Sequence, residues 1–166
     1  MCFSWQHIEQ CDDCIVFDVN GADEGKGLWI NENQFNGGRL SGKNGIMQYG
    51  RGNKFDAING NVFNSIGFED IDCPIKSLYK WSVDRFNYIR MSESIRNSTY
   101  IEMDNCTNVL IDLKSYVEAS KFKIKDCNTT EIRSMYSVYQ YNQKSYDVKK
   151  QYSNYQQQNK SFYGIM

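Results

Sequence analysis

Three acidic side chains lie close together near the middle of the chain, and their type and spacing suit acid–base chemistry. Glu69, Asp70 and Asp72 fall within four consecutive positions. Alternation along an extended strand would place Asp70 and Asp72 on the same face. Two carboxyl groups that flank a glycosidic bond are the usual requirement for its hydrolysis. Solvated acids on the outside of a strand give the same pattern, so we predict no catalytic residue and keep this cluster as the alternative.

Lyase chemistry would add a base and a cation, and basic residues follow the acidic cluster. Lys80, Arg85 and Arg90 lie in this region, where they could neutralise a substrate carboxylate while another group removes a proton. His7 is the single histidine of the chain. The sequence therefore offers no convincing Ser-His-Asp arrangement.

Six cysteines are present, and two of them, Cys11 and Cys14, have CxxC spacing. A structural zinc site needs four Cys or His ligands, and the sequence has no second pair at a recognisable spacing. A redox motif would open a helix in a βαβ setting, whereas this pair lies in a strand-like run. We predict thiols without a metal or cofactor, with a metal or redox role as the alternative.

Tyrosines in strand-like segments are the candidates for a sugar-binding surface. Tyr79, Tyr88 and Tyr100 combine an apolar ring with a hydroxyl, and Tyr116 is a further candidate. An aromatic ring with a polar end suits a surface that is partly apolar and partly wet. Such tyrosines are more often half-buried strand residues, and this is the alternative interpretation.

A short pattern recurs along the chain and indicates how these residues are positioned. It begins with an apolar residue, continues through a polar turn and ends with a second apolar residue five positions after the first. The copies begin at Ile30, Ile58, Trp81, Cys106 and Cys127, which are 28, 23, 25 and 21 residues apart. Their fourth positions are Asn33, Asn61, Asp84, Val109 and Thr130. Recurrence at this period is typical of a solenoid, in which stacked repeats bury a shared core.

We therefore predict an all-β fold, a right-handed parallel β-helix with a single-stranded solenoid of about five or six coils. Asn and Asp at the fourth position would form the sharp left-handed bend, and stacked Asn side chains would bond along the axis. An ordinary β-sandwich is the alternative. We assign residues 1–135 to the β-helix and 136–166 to an irregular tail rich in Tyr, Gln and Asn. No capping helix precedes Phe3, so a truncated chain or a cap from another chain is expected.

Composition excludes several function classes. The net charge is −1 and the pI about 5.9, which does not match the basic surface of a nucleic-acid-binding protein. The sequence has no run of 18 apolar residues, so we expect no membrane insertion. Residues 1–17 lack the basic, apolar and small-residue order of a signal peptide.

The segment Trp29-Ile-Asn-Glu-Asn-Gln-Phe-Asn-Gly-Gly-Arg-Leu-Ser-Gly42 resembles a stretch in tail-fibre and receptor-binding proteins of bacteriophages and prophages of Gram-positive bacteria. Those proteins belong to the pectate-lyase-like (pectin lyase-like) β-helix group. The resemblance implies a homotrimeric virion tail component, assembled with other tail proteins in the bacterial cytoplasm. It also implies binding of a bacterial surface polysaccharide. A depolymerase, either a glycoside hydrolase or a lyase, is the alternative on the same scaffold.

Overall fold

The computed structural model describes residues 1–18, 30–49, 58–79, 81–141 and 151–152. Within them the chain is nearly all strand, with one 3-10 turn at Ala119–Lys121. None of the described helical segments is long and apolar enough to cross a membrane. The strands are β1 (Cys2–Ser4), β2 (His7–Asp18), β3 (Ile30–Asn31), β4 (Gln34–Asn36), β5 (Arg39–Tyr49), β6 (Ile58–Asn59), β7 (Val62–Asn64), β8 (Gly67–Tyr79), β9 (Trp81–Ser82), β10 (Arg85–Met91), β11 (Ile101–Asp104), β12 (Leu110–Leu113), β13 (Phe122–Lys125), β14 (Thr130–Ser134), β15 (Ser137–Tyr141) and β16 (Gln151–Tyr152).

Most strands pair in parallel with strands from the neighbouring repeats. One series runs β1-β4-β7-β10-β12-β14, a second connects β2, β5, β8, β11 and β13, and a third is β3-β6-β9. The pairs within these series are parallel. The prediction of an all-β fold is confirmed, and the described strands are mostly parallel, unlike those of an antiparallel sandwich.

The five copies of the sequence pattern lie in register. Ile30 pairs with Ile58, and Ile58 pairs with Trp81. The next residue of the pattern continues this column, since Ser82 bridges Thr107 and Thr107 bridges Asn128. Each repeat therefore lies directly on the one before it, at the position that the sequence spacing predicts.

A stack of phenylalanine rings runs through the core. Phe3, Phe35, Phe63 and Phe86 stack face to face at centroid separations of 5.0, 4.7 and 4.4 Å. Phe63 and Phe86 are fully buried, as the repeat predicts. Period-2 alternation sends these rings inward while their neighbours face outward. Burying the ring of Phe63 or Phe86 contributes about 1.5–3 kcal/mol.

The sharp corner of each repeat lies one residue earlier than we predicted. Left-handed φ values of 53°, 65°, 58°, 54° and 46° occur at Glu32, Gly60, Val83, Asn108 and Thr129, respectively. Asn33, Asn61 and Asp84 follow this corner and have no positive φ. Their assignment to the bend was wrong, because these side chains are used for hydrogen bonds between repeats. The predicted bonding along the axis is present, with Asn33 Nδ2 donating to Asn61 Oδ1 across 3.0 Å.

The parallel stacking ends in an antiparallel hairpin. β15 runs antiparallel to β14, and β16 runs antiparallel to β15. Tyr139 of β15 is buried and packs edge-on against Phe122, with the ring centroids 5.3 Å apart. The segment 136–166 was predicted to be irregular, yet Ser137–Tyr141 forms a regular strand on the last repeat. Residues 142–150 and 153–166 of the predicted tail lie outside the described residues.

Candidate functional site

The first member of the acidic cluster is bound to an arginine on the neighbouring strand. Arg39 Nη1 donates to Glu69 Oε2 across 2.8 Å. The same guanidinium donates through Nε to His7 Nε2 across 3.0 Å. Arg39 therefore joins β2, β5 and β8 on the outside of the sheet, and Glu69 is one partner in this contact.

The other two acids are associated with a second arginine. Arg96 Nε donates to Asp72 Oδ1 across 2.6 Å, and its Nη2 donates to the carbonyl oxygens of Gly42 and Asp70 across 2.8 and 3.1 Å. Asp70 has a φ of 45°, and its backbone N–H donates to Ser94 Oγ across 2.8 Å. The strand is thus irregular between Asp70 and Asp72, and simple alternation does not describe it.

The geometry of these acids favours a structural role. A general acid and base must present carboxyl oxygens to a substrate from the two sides of a bond. Here the oxygens of Glu69 and Asp72 accept hydrogen bonds from Arg39 of β5 and from Arg96 between β10 and β11, respectively. Within the described ranges, no three His, Cys, Asp or Glu side chains are grouped so that they could hold a metal ion.

The predicted tyrosines differ in their surroundings. Tyr88 is 58% exposed, and Lys114 Nζ lies 4.5 Å from the centroid of its ring. Tyr100 is partly buried against the core, with Lys121 Nζ 5.0 Å from its ring centroid. The side chain of Tyr79 lies outside the described part of the structure. Tyr88 is therefore the better binding candidate of the three.

Tyr88 belongs to a larger exposed group that we call the tyrosine patch, made of Tyr88, Lys114, Tyr116 and Tyr136. Tyr116 and Tyr136 are 54% and 51% exposed, and their ring centroids are 6.2 Å apart. Members of the patch lie on or just beyond β10, β12 and β14, which are neighbours in one sheet. Lys114 also pairs with Asp112 across 3.3 Å.

Sequence reasoning found part of this patch and missed Lys114 and Tyr136. Tyr136 was assigned to the irregular tail, so it was not compared with the repeats. It follows Tyr116 by 20 residues, close to the spacing of 21 between Cys106 and Cys127. This near-coincidence was the available signal. Lys114 gave none, since its position over Tyr88 depends on a lysine side chain that reaches back to the preceding repeat.

Three cysteines, Cys73, Cys106 and Cys127, are buried. The backbone N–H of Cys106 lies 3.4 Å from the sulfur of Cys127, which is stacked on it. All six cysteines of the chain are described, and none is in a disulfide. Cys106 and Cys127 therefore fill equivalent core positions in successive repeats.

Comparison with known proteins returns no relative. No family model matches the chain, and neither a curated protein nor a solved structure matches it.

Proposed function

We propose that this chain is a right-handed parallel β-helix that serves as a structural and host-recognition segment of a bacteriophage tail fibre or tailspike. In this proposal it binds a bacterial cell-surface polysaccharide through the tyrosine patch. It acts in the virion tail as part of a homotrimer with other tail proteins. The carrying observation is the exposure of three tyrosines and a lysine on or just beyond neighbouring strands of one sheet.

The stacked register supports the scaffold part of the proposal. Ile15, Ile46, Ile75, Ile101 and Phe122 pair in sequence along the second strand series. Chains whose equivalent residues stack on one another at each repeat form elongated solenoids, with extended surfaces along their length. Parallel connections between strands of one sheet are nearly always right-handed, which gives the hand that we propose.

The chemistry of the tyrosine patch supports glycan binding. Exposed tyrosine rings offer large, rigid apolar faces together with a hydroxyl, at a low cost in conformational entropy. Sugars present C–H faces that can pack on such rings and hydroxyls that can bond to their edges. Lys114 places a cation beside Tyr88, which favours a glycan with phosphate or carboxylate groups. Asp112 lies beside the same lysine and would compete for it.

The acidic cluster supports a binding function over a depolymerase. Glu69 and Asp72 contact Arg39 and Arg96, respectively, and both arginines also bind other strands. Using either acid in catalysis would require breaking an arginine contact that reaches a neighbouring strand. Binding without turnover is the simpler role for this arrangement.

The test is binding of the purified chain to capsular polysaccharide and teichoic acid, measured by calorimetry. We expect Tyr116→Ala to weaken binding about tenfold, or about 1.4 kcal/mol. Val16→Ala is the control, because Val16 is similarly exposed and lies on β2, away from the patch. Equal binding by both variants would overturn the assignment of the patch.

The same samples decide between binding and catalysis. Reducing-sugar and unsaturated-uronate assays should show no release of products over time. Turnover by the wild-type chain that disappears in Asp72→Asn, while the variant stays folded, would replace the binding function with a depolymerase.

A further inference from the structure

We propose that Cys11 and Cys14 form a reversible dithiol–disulfide site that is selective among the six cysteines. The two sulfur atoms lie 3.1 Å apart. Both also approach the carbonyl oxygen of Ser41, at 3.9 Å for Cys11 and 3.7 Å for Cys14. Both residues are partly exposed, so a small reagent can reach them. This inference is independent of the proposed binding function.

Their approach is unexpected for a strand. Residues three positions apart in a regular strand face opposite sides and lie about 10 Å apart. Here Gln10 has a φ of 57°, and the register between β2 and β5 shifts between Ile8 and Cys11. A bulge redirects the side chains beside it, and Cys11 is the first paired residue after this one; from Cys11 to Asp18 the two strands pair in regular register.

The opposite strand accommodates the bulge with a glycine. Cys11 pairs with Gly42 of β5. A Cβ atom on Gly42 would lie 2.3 Å from the carbonyl oxygen of Cys11. Only a residue without a side chain lets the two backbones come this close, so the position of Cys11 depends on both strands.

The distance between the sulfurs favours a disulfide over a metal. A disulfide bond is about 2.05 Å long, so the sulfurs need to close by about 1 Å. Two thiolates on a tetrahedral zinc ion would lie about 3.8 Å apart, given a Zn–S distance of about 2.3 Å. They would also need two further ligands, and no group of three His, Cys, Asp or Glu is found in the described residues.

The reaction is exchange with a small-molecule disulfide such as oxidised glutathione. Burial, together with the neighbouring Cys11 thiol, raises the pKa of Cys14 to about 12, so Cys14 keeps its proton and Cys11 attacks first. The Cys11 thiolate forms a mixed disulfide and releases one small thiolate. Cys14 then loses its proton to water and attacks the sulfur of Cys11. This step forms the Cys11–Cys14 disulfide and releases the second small thiolate. One small disulfide is reduced to two thiols as the two cysteines are oxidised.

The other cysteines are unsuited to the same reaction. Cys73, Cys106 and Cys127 are buried. Cys2 is exposed, and its sulfur accepts a hydrogen bond from Asn36 Nδ2 across 3.2 Å. We therefore expect Cys2 to form at most a stable mixed disulfide, and a Cys2→Ser background removes it from the experiment.

The experiment treats the folded Cys2→Ser chain with oxidised glutathione and analyses its peptides by mass spectrometry. We expect the peptide with Cys11 and Cys14 to lose two hydrogen masses, to resist alkylation and to recover both thiols on reduction. Cys14→Ser should instead hold one glutathione on Cys11. Three outcomes would each overturn the proposal. They are glutathione that stays on the Cys2→Ser chain, a disulfide between Cys11 or Cys14 and a different cysteine, and no reaction at all. Circular dichroism before treatment checks that each variant is folded.

Discussion

The backbone N–H of Asn61 donates a hydrogen bond to Asp84 Oδ1 across 2.5 Å, which ties two successive repeats together inside the stack. The preceding pair has the same arrangement, since the backbone N–H of Asn33 donates to Asn61 Oδ1 across 3.1 Å. Asn61 Nδ2 also donates to the carbonyl oxygen of Ile30 across 2.9 Å. Asp84 has an oxygen, Oδ2, where Asn61 has the donor Nδ2. This oxygen is buried and has no hydrogen-bond partner in the described structure.

Asp84 should make stability depend on pH. Burial raises the pKa of Asp84 from 3.8 to about 7, although hydrogen bonds from Asn61 and the charge of Arg85 oppose this shift. A pKa that is higher in the folded chain stabilises the fold fully below about pH 4. That stability is lost as the pH rises through 7. One pKa unit is about 1.4 kcal/mol, so the free energy of unfolding should fall by up to about 4 kcal/mol. Urea unfolding at about pH 5 and about pH 8 should record roughly 3 kcal/mol of this fall, because the rest occurs below pH 5.

Asp84→Asn is the matched control for this pH dependence. Its amide nitrogen can donate to the carbonyl oxygen of Ile58, which lies in register with Ile30, as Asn61 Nδ2 donates to Ile30. We expect the variant to be more stable than the wild type at about pH 8, by about 1–3 kcal/mol, and to lose most of the change between the two pH values. If its stability changes with pH as much as that of the wild type, another group is responsible.

Val83→Asn should stabilise the chain. Val83 is a β-branched residue in the left-handed corner, with a φ of 58°, and it is half exposed, so its burial contributes little. The left-handed conformation costs about 1–2 kcal/mol for ordinary residues and less for Asn, which already occupies the same corner at position 108. We expect a gain of about 1 kcal/mol in thermal or urea unfolding. Val83→Ala keeps a Cβ atom and should gain less; equal gains would show that backbone strain is not the cause.

Phe63→Ala tests the aromatic stack. Phe63 is fully buried between Phe35 and Phe86, and its truncation leaves a cavity that neighbouring repeats cannot fill. The free energy of unfolding should fall by about 3–5 kcal/mol. Phe3→Ala is the control within the same stack: Phe3 is 41% exposed and has one stacked neighbour, so its loss should be clearly smaller. Similar losses at both positions would contradict the inward stack.

The register of the repeats was predictable, whereas the corner residue was not. The apolar pattern sets which residues face the core, and this is why Ile30, Ile58 and Trp81 could be aligned in advance. The corner is occupied by residues as different as Glu32, Gly60 and Val83. No local preference identifies such a position, because stacking on the neighbouring repeats imposes the conformation.

The arginine contacts of Glu69 and Asp72 could not be predicted from the sequence either. Arg39 and Arg96 lie 30 and 24 residues from Glu69 and Asp72, respectively, which is about one repeat. The repeat length thus brings each pair near in space, but it does not say where a long arginine side chain points. The choice between a free carboxylate and an ion pair depends on those side-chain conformations.

Gly42→Ala tests how β2 and β5 approach each other. The added Cβ would lie 2.3 Å from the carbonyl oxygen of Cys11, and backbone atoms cannot yield as a flexible side chain can. The strands must separate locally, so we expect a loss of about 1–3 kcal/mol in unfolding free energy, as for other overpacked sites. Gly67→Ala is the matched control: its nearest neighbour would be the Arg90 side chain at 3.5 Å, which is ordinary contact, and its effect should be smaller. Because Gly42 pairs with Cys11, separating the strands there should also move Cys11 away from Cys14. Gly42→Ala should therefore slow their oxidation by oxidised glutathione, whereas Gly67→Ala should leave that rate unchanged. An unaltered rate in a destabilised Gly42→Ala chain would show that the two thiols meet without help from β5.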